Sequence, residues 1–137
     1  MFKIKNIILL FVVINLTAMV GFAQQAKTKT AKVEKRNITV EELVQLMKAD
    51  SNLTLLDVRT PPELNGPLGH INGVINIPVQ VLEKRLDELN KYKDKKFYVI
   101  CRSGHRSGIA TKILLKHGFN VVNVMGGMIA YNKLKKH

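Results

Sequence analysis

Three short runs of this 137-residue chain are apolar almost throughout, not on every second residue. They are Leu53-Thr54-Leu55-Leu56-Asp57-Val58, Phe97-Tyr98-Val99-Ile100 and Asn120-Val121-Val122-Asn123-Val124. A strand of this kind has to be covered on both faces, which is the condition of a parallel sheet between helices. The segments between the runs carry helical periodicity. Val40, Leu43, Val44 and Met47 follow an i, i+3, i+4, i+7 spacing, and Thr39-x-x-Glu42 ahead of them has the form of a capping box. Val79, Leu82, Leu86 and Leu89 share one face of a helix predicted over 79–89. Strands alternating with helices predict an α/β domain with a largely parallel central sheet and helices on both faces.

The remaining elements are shorter. Asn37-Ile38 and Val74-Ile75-Asn76-Ile77 read as brief strands. Thr60-Pro61-Pro62 stops the strand before it, because two prolines cannot continue a hydrogen-bonded ladder, and 63–73 with its three glycines reads as a loop. Arg106 to His117 reads as a helix closed by Gly118, and Met128 to Lys136 as a last short helix after Gly126-Gly127. In sheets of this type ligands bind beyond the carboxyl ends of the strands. The turns after Val58, Ile100 and Val124 open there.

The turn after Ile100 carries chemistry. Cys101-Arg102-Ser103-Gly104-His105-Arg106-Ser107 links a strand to a helix, and Cys101 is the one cysteine of the chain. Unpaired N–H groups and the dipole of a helix N-terminus stabilise negative charge beside them. A thiol placed there has a depressed pKa, so thiolate is available near neutral pH. The same cradle holds an oxyanion. A buried structural cysteine is the competing reading, but two arginines, a histidine, a glycine and two serines within six residues are poor core material. The segment therefore predicts an exposed, nucleophilic Cys101 acting on an anionic group.

The chain has 22 lysines and arginines against 10 acids, a formal charge of +12. Residues 1–23 have the form of a secretory signal peptide: Lys3 and Lys5, an apolar stretch, then Gly21-Phe22-Ala23. Cleavage before Gln24 is expected, which predicts an exported, periplasmic protein, with retention as an anchor the rival outcome. Residues 24–36 read as a basic, disordered linker, and 37–137 as the folded domain. Nucleic acid is not an expected partner after export; weak contact with an anionic membrane surface is the alternative to a merely solvated tether. A lone cysteine forms no disulfide within the chain and points to a reactive thiol. A monomer is expected.

Four stretches in order resemble single-domain rhodanese sulfurtransferases. They are Asp57-Val58-Arg59, then Gly69-His70-Ile71-x-Gly73-x-x-Asn76-Ile77-Pro78, then Cys101-x-x-Gly104-x-Arg106-Ser107, and last Gly126-Gly127-Met128-x-Ala130-Tyr131. The resemblance covers about residues 37–133. The resemblance implies a rhodanese-like fold and a two-step transfer. Cys101 takes sulfane sulfur from a small anionic donor such as thiosulfate, and the persulfide passes it to cyanide or a thiol. N–H groups from Arg102 to Arg106 would stabilise the charged sulfur, with Gly104 letting the turn curl. Arg102, Ser103, Gly104, His105 and Arg106 are the expected substrate-binding residues, and Asp57, Arg59 and Ser107 the supporting ones. No metal or organic cofactor is implied.

The chain also departs from the pattern. Glu63 stands where some thiosulfate-using members carry a substrate arginine, the segment Glu63–Gly69 is two residues longer than usual, and Tyr131 replaces a tryptophan. His105 is either a charge-tuning or proton-donating group or simply a solvent-facing loop residue. His70 is expected to anchor its loop, His117 to sit at a helix end, and Asp57 and Arg59 to pair. Two other readings compete. Cysteine phosphatases need five residues between Cys and Arg, and four separate Cys101 from Arg106. A sulfur relay serving one protein acceptor, with little turnover of small molecules, uses the same loop.

Overall fold

The computed structural model describes residues 36–136. The expected leader at 1–23, and the linker as far as residue 35, lie outside the described residues. Thr39 caps the first helix as its sequence predicts: its Oγ1 accepts from Glu42 N–H at 3.3 Å, and Glu42 Oε2 accepts from Thr39 N–H at 2.9 Å. The elements run β1 (Asn37–Ile38), α1 (Val40–Ala49), β2 (Leu55–Asp57), α2 (Pro61–Leu64), β3 (Ile75–Asn76), a 3-10 helix (Leu82–Tyr92), β4 (Lys96–Ile100), α3 (His105–Lys116), β5 (Asn120–Val124) and α4 (Gly127–Leu134).

The five strands form one sheet in the order β1-β5-β4-β2-β3, and every pairing is parallel. Alternate residues of the apolar runs enter opposite cores. Leu56, Val58, Phe97, Val99 and Val121 pack with Leu82, Leu89, Ala110 and Leu114, which lie on the 3-10 helix and α3. Leu55, Ile100, Val122 and Val124 pack with Val40, Leu43, Met128 and Tyr131 on α1 and α4. This is the two-faced burial that continuous apolar strands require. Arg36, counted above with the linker, already joins the sheet: its carbonyl accepts from Asn123 N–H at 2.9 Å.

Two elements differ from expectation. Pro61 and Pro62 do not open a loop; they occupy the first two positions of α2, where a missing N–H costs nothing and a fixed φ suits the helix. The segment expected as a helix over 79–89 begins at Leu82, has 3-10 geometry and breaks at Arg85, with φ −121° and ψ 19°. Leu82 and Leu89 are still buried, so the apolar face is conserved while the winding changes. Among the described residues no helix is long and apolar enough to cross a membrane.

Candidate active site

Parallel pairing brings the carboxyl ends of the central strands together. Asp57 lies opposite Ile100, and Val99 opposite Asn123. Cys101 comes one residue after β4 and continues its alternation: Phe97, Val99 and Cys101 belong to the same core cluster. Cys101 is therefore 1% exposed. The expected exposed thiol is corrected here, because the polar residues that follow it form a collar over a sulfur that strand geometry turns inward.

The loop closes around this sulfur. Gly104 N–H donates to Cys101 Sγ at 3.1 Å. Gly104 has φ +102°, a left-handed conformation in which any side chain is strained, and a Cβ there would stand 3.1 Å from Gly126 N. α3 starts at the next residue. Burial pushes the Cys101 thiol up; the Ser107 hydroxyl and the N–H groups of Ser107, Gly104 and Ser103 outweigh it, and the thiol is held below its ordinary value. Ser107 Oγ lies 3.1 Å from Gly104 O and donates to it. A hydroxyl rotor turns freely enough to serve either that carbonyl or the thiolate.

Behind the loop stands α4. Met128 N–H donates to Cys101 O at 2.8 Å and Ile129 N–H to Arg102 O at 3.0 Å. The first N–H groups of one helix thus hold the carbonyls of the active loop, which leaves the loop's own N–H groups facing the sulfur.

Asp57 and Arg59 pair as expected and are almost wholly buried. Arg59 Nη2 meets Asp57 Oδ2 at 2.6 Å, with exposures of 1% and 0%. Arg59 also donates to Gly69 O at 2.8 Å and to Glu63 O at 3.3 Å, so it fastens the 63–69 segment to the end of β2. Neither side chain contacts the sulfur among the hydrogen bonds described; their role is to support the site. His70 anchors its loop through Nδ1, 3.1 Å from Leu64 O, and His117 ends α3.

Arg106 is already occupied. Its guanidinium donates to both oxygens of Glu63, at 2.8 and 2.6 Å. The Arg106 hydrogen bonds hold the Glu63 carboxyl down at about 2. Arg102, Ser103 and His105 are exposed. Arg102 and Glu63 border a cleft of about 410 Å³ whose other walls include Pro67, Leu68 and Ile129.

Two working residues were not singled out from the sequence. Asn76 donates through Nδ2 to Asp57 O at 2.9 Å and Arg59 O at 2.8 Å, stitching β3 to the site. Asn132 joins Leu68 O to Met128 O, both at 2.9 Å. The signal for Asn76 was present, since it lies inside one of the four quoted stretches. Asn132 has none, because a lone polar residue on a helix reads as solvated. Among the described residues no cluster of His, Cys, Asp and Glu has the arrangement of a metal site.

A five-stranded parallel sheet with a cysteine cradled between β4 and α3 is matched by the rhodanese-like domain family over residues 39–134. The chain belongs to the rhodanese-like domain family. A sulfurtransferase of Allochromatium vinosum is 35% identical over 69% of this chain and 85% of its own length. The Bacillus subtilis protein YrkF, named as a candidate sulfur carrier, is 41% identical over 66% of this chain. This chain matches only 48% of YrkF, about half its length. Among solved structures, a rhodanese-related protein from Thermoplasma volcanium superposes with a TM-score of 0.64 at 38% identity, covering 72% of this chain and 92% of its own. The rhodanese-like domain described here holds Cys101 between β4 and α3.

Proposed function

We propose that the protein is a sulfurtransferase working through a Cys101 persulfide. The observation that carries this is the sulfur itself: buried, bonded to Gly104 N–H, and held toward the thiolate by the amides of a helix start. The Cys101 thiolate attacks the outer sulfur of an anionic donor such as thiosulfate. A sulfur–sulfur bond forms, the donor's own sulfur–sulfur bond breaks, and sulfite leaves with the electron pair. A thiolate or cyanide then attacks the outer sulfur of the persulfide, and Cys101 departs as thiolate. The amides that stabilise the thiolate also stabilise the persulfide anion, so neither step exposes an unsolvated charge.

The loop also bears on the phosphatase reading. Four residues separate Cys101 from Arg106, and a loop this short suits one added sulfur atom better than a tetrahedral phosphate. The relay reading shares the persulfide and differs in the acceptor.

Intact-mass spectrometry tests the proposal. Incubation with a sulfane donor adds one sulfur atom to the protein, and cyanide removes it as thiocyanate. Cys101→Ser stays unmodified, and its melting temperature stays within a few degrees of wild type because serine keeps the size of the side chain and accepts from Gly104 N–H. Sulfur gained by Cys101→Ser, or none gained by wild type from thiosulfate, thiosulfonate and polysulfide alike, overturns it.

A further inference from the structure

The positive charge of the active loop is half cancelled from another element. Arg106 sits close enough to Cys101 for the two to interact electrostatically, yet its guanidinium is clamped on both faces of its fork by Glu63 of α2. Glu63 is itself fixed: its Oε2 accepts from Thr60 N–H at 3.0 Å and Thr60 Oγ1 at 2.9 Å. The pair is only partly exposed, 25% for Arg106 and 31% for Glu63, so water does not screen it fully. Asp57 cancels Arg59 in the same way. Among the described residues around the loop, Arg102 is left as the arginine without a carboxylate partner. The cleft beside it has apolar walls at Pro67, Leu68 and Ile129, with Glu63 as the carboxylate among its lining residues.

We infer that Glu63 is a specificity-determining residue that sets the charge of the sulfur donor, favouring singly charged organic donors over the thiosulfate dianion. This rests on the sulfurtransferase reading above. A dianion feels the Glu63 carboxylate twice as strongly as a monoanion of the same shape. A carboxylate several ångströms from the donor, in a partly wet cleft, changes the relative rate by about tenfold per unit charge, or about 1.4 kcal/mol.

Methanethiosulfonate isolates the effect, since it is thiosulfate with one charged oxygen replaced by methyl. The Cys101 thiolate takes its sulfane sulfur, the bond to the sulfonyl sulfur breaks, and methanesulfinate leaves with the electron pair. Both donors meet the same thiolate, so the ratio of their kcat/KM values cancels any change in thiol ionisation. In wild type the ratio of methanethiosulfonate to thiosulfate is expected at about 10 or more. In Glu63→Gln, which keeps the hydrogen-bonding shape and frees Arg106, the ratio falls about tenfold toward thiosulfate. Glu63→Asp, which keeps the charge, retains a wild-type preference. A wild-type ratio of one or below overturns the inference, whether or not Glu63→Gln folds. An unchanged ratio in a folded Glu63→Gln does the same and leaves Glu63 a purely structural ion-pair partner. If neither donor loads sulfur on Cys101, the sulfurtransferase reading fails instead.

Discussion

Two glycines with positive φ carry different constraints, and only Gly127 bears on the active loop. Gly127 has φ +55°, and a Cβ there would overlap the Cys101 carbonyl oxygen and stand 2.6 Å from Arg102 C and O. That overlap falls where the start of α4 packs on the loop it supports. Gly73 also has a positive φ, +80°, but a Cβ there meets nothing within 4 Å. Alanine at Gly73 therefore carries only the left-handed backbone cost, about 1 kcal/mol. At Gly127 overlap adds to it, and a total loss of about 3 kcal/mol is expected. Circular dichroism melts check this: Gly127→Ala falls by more than about 10 °C and Gly73→Ala by about half that or less. Equal melting temperatures for the two variants would show that α4 yields without cost. Residue-level chemistry was largely legible from the loop's own letters: a thiol, a glycine able to curl, and amides at a helix start. Its burial was not. Inward or outward is a property of strand alternation through Val99 to Cys101, and the polar residues that follow it point elsewhere. Nor was the fate of Arg106, because its partner lies 43 positions away on α2.

Elements meet at Arg59, which ties the end of β2 to α2 and to the turn at Gly69. Its guanidinium and the Asp57 carboxylate are both shut off from water. Removing one charge leaves the other buried and poorly matched, which costs about 3–5 kcal/mol. Arg59→Met is expected to lose that much in a urea titration, and adding Asp57→Asn recovers a large part of it. No recovery in the double variant would place the cost in the lost bonds to Glu63 O and Gly69 O instead. The same region shows where sequence reading of elements ends. Prolines stop a ladder and also start a helix, and which of the two Pro61-Pro62 does depends on Glu63 folding back to Thr60 N–H. The spacing of Leu82, Leu86 and Leu89 is that of α winding, and regular 3-10 winding would turn Leu86 about 120° away from Leu82; the chain breaks between them at Arg85, so the buried face was readable and the winding was not. Thr39-x-x-Glu42 was readable because its capping partners are three positions apart and need nothing else.

At the scale of the molecule the site has two halves of unequal firmness. Cys101 rides on β4, which is paired on both sides, by β5 and β2, and β5 is in turn paired by β4 and β1. Their amides are covered by both cores. Glu63 rides on α2, a four-residue helix with no buried residue, joined to β3 by a segment anchored mainly by Arg59, His70 and Asn132. Local opening costs least where apolar burial is least, and global unfolding is needed where strands are central. Hydrogen exchange is expected to report this as two populations. Amides of Phe97–Ile100 and Val121–Val124 exchange only with global unfolding and share one denaturant dependence. Those of Glu63, Gly66 and Gly69 exchange faster by at least about 100-fold and show little denaturant dependence. The distinction matters for the proposed selectivity, because Thr60 fixes Glu63 only within the α2 segment, and that segment as a whole can move off Arg106 while the thiolate cradle stays formed. Equal protection in both groups would instead make the Glu63–Arg106 pair part of the rigid frame, and the donor would then meet one fixed charge pattern.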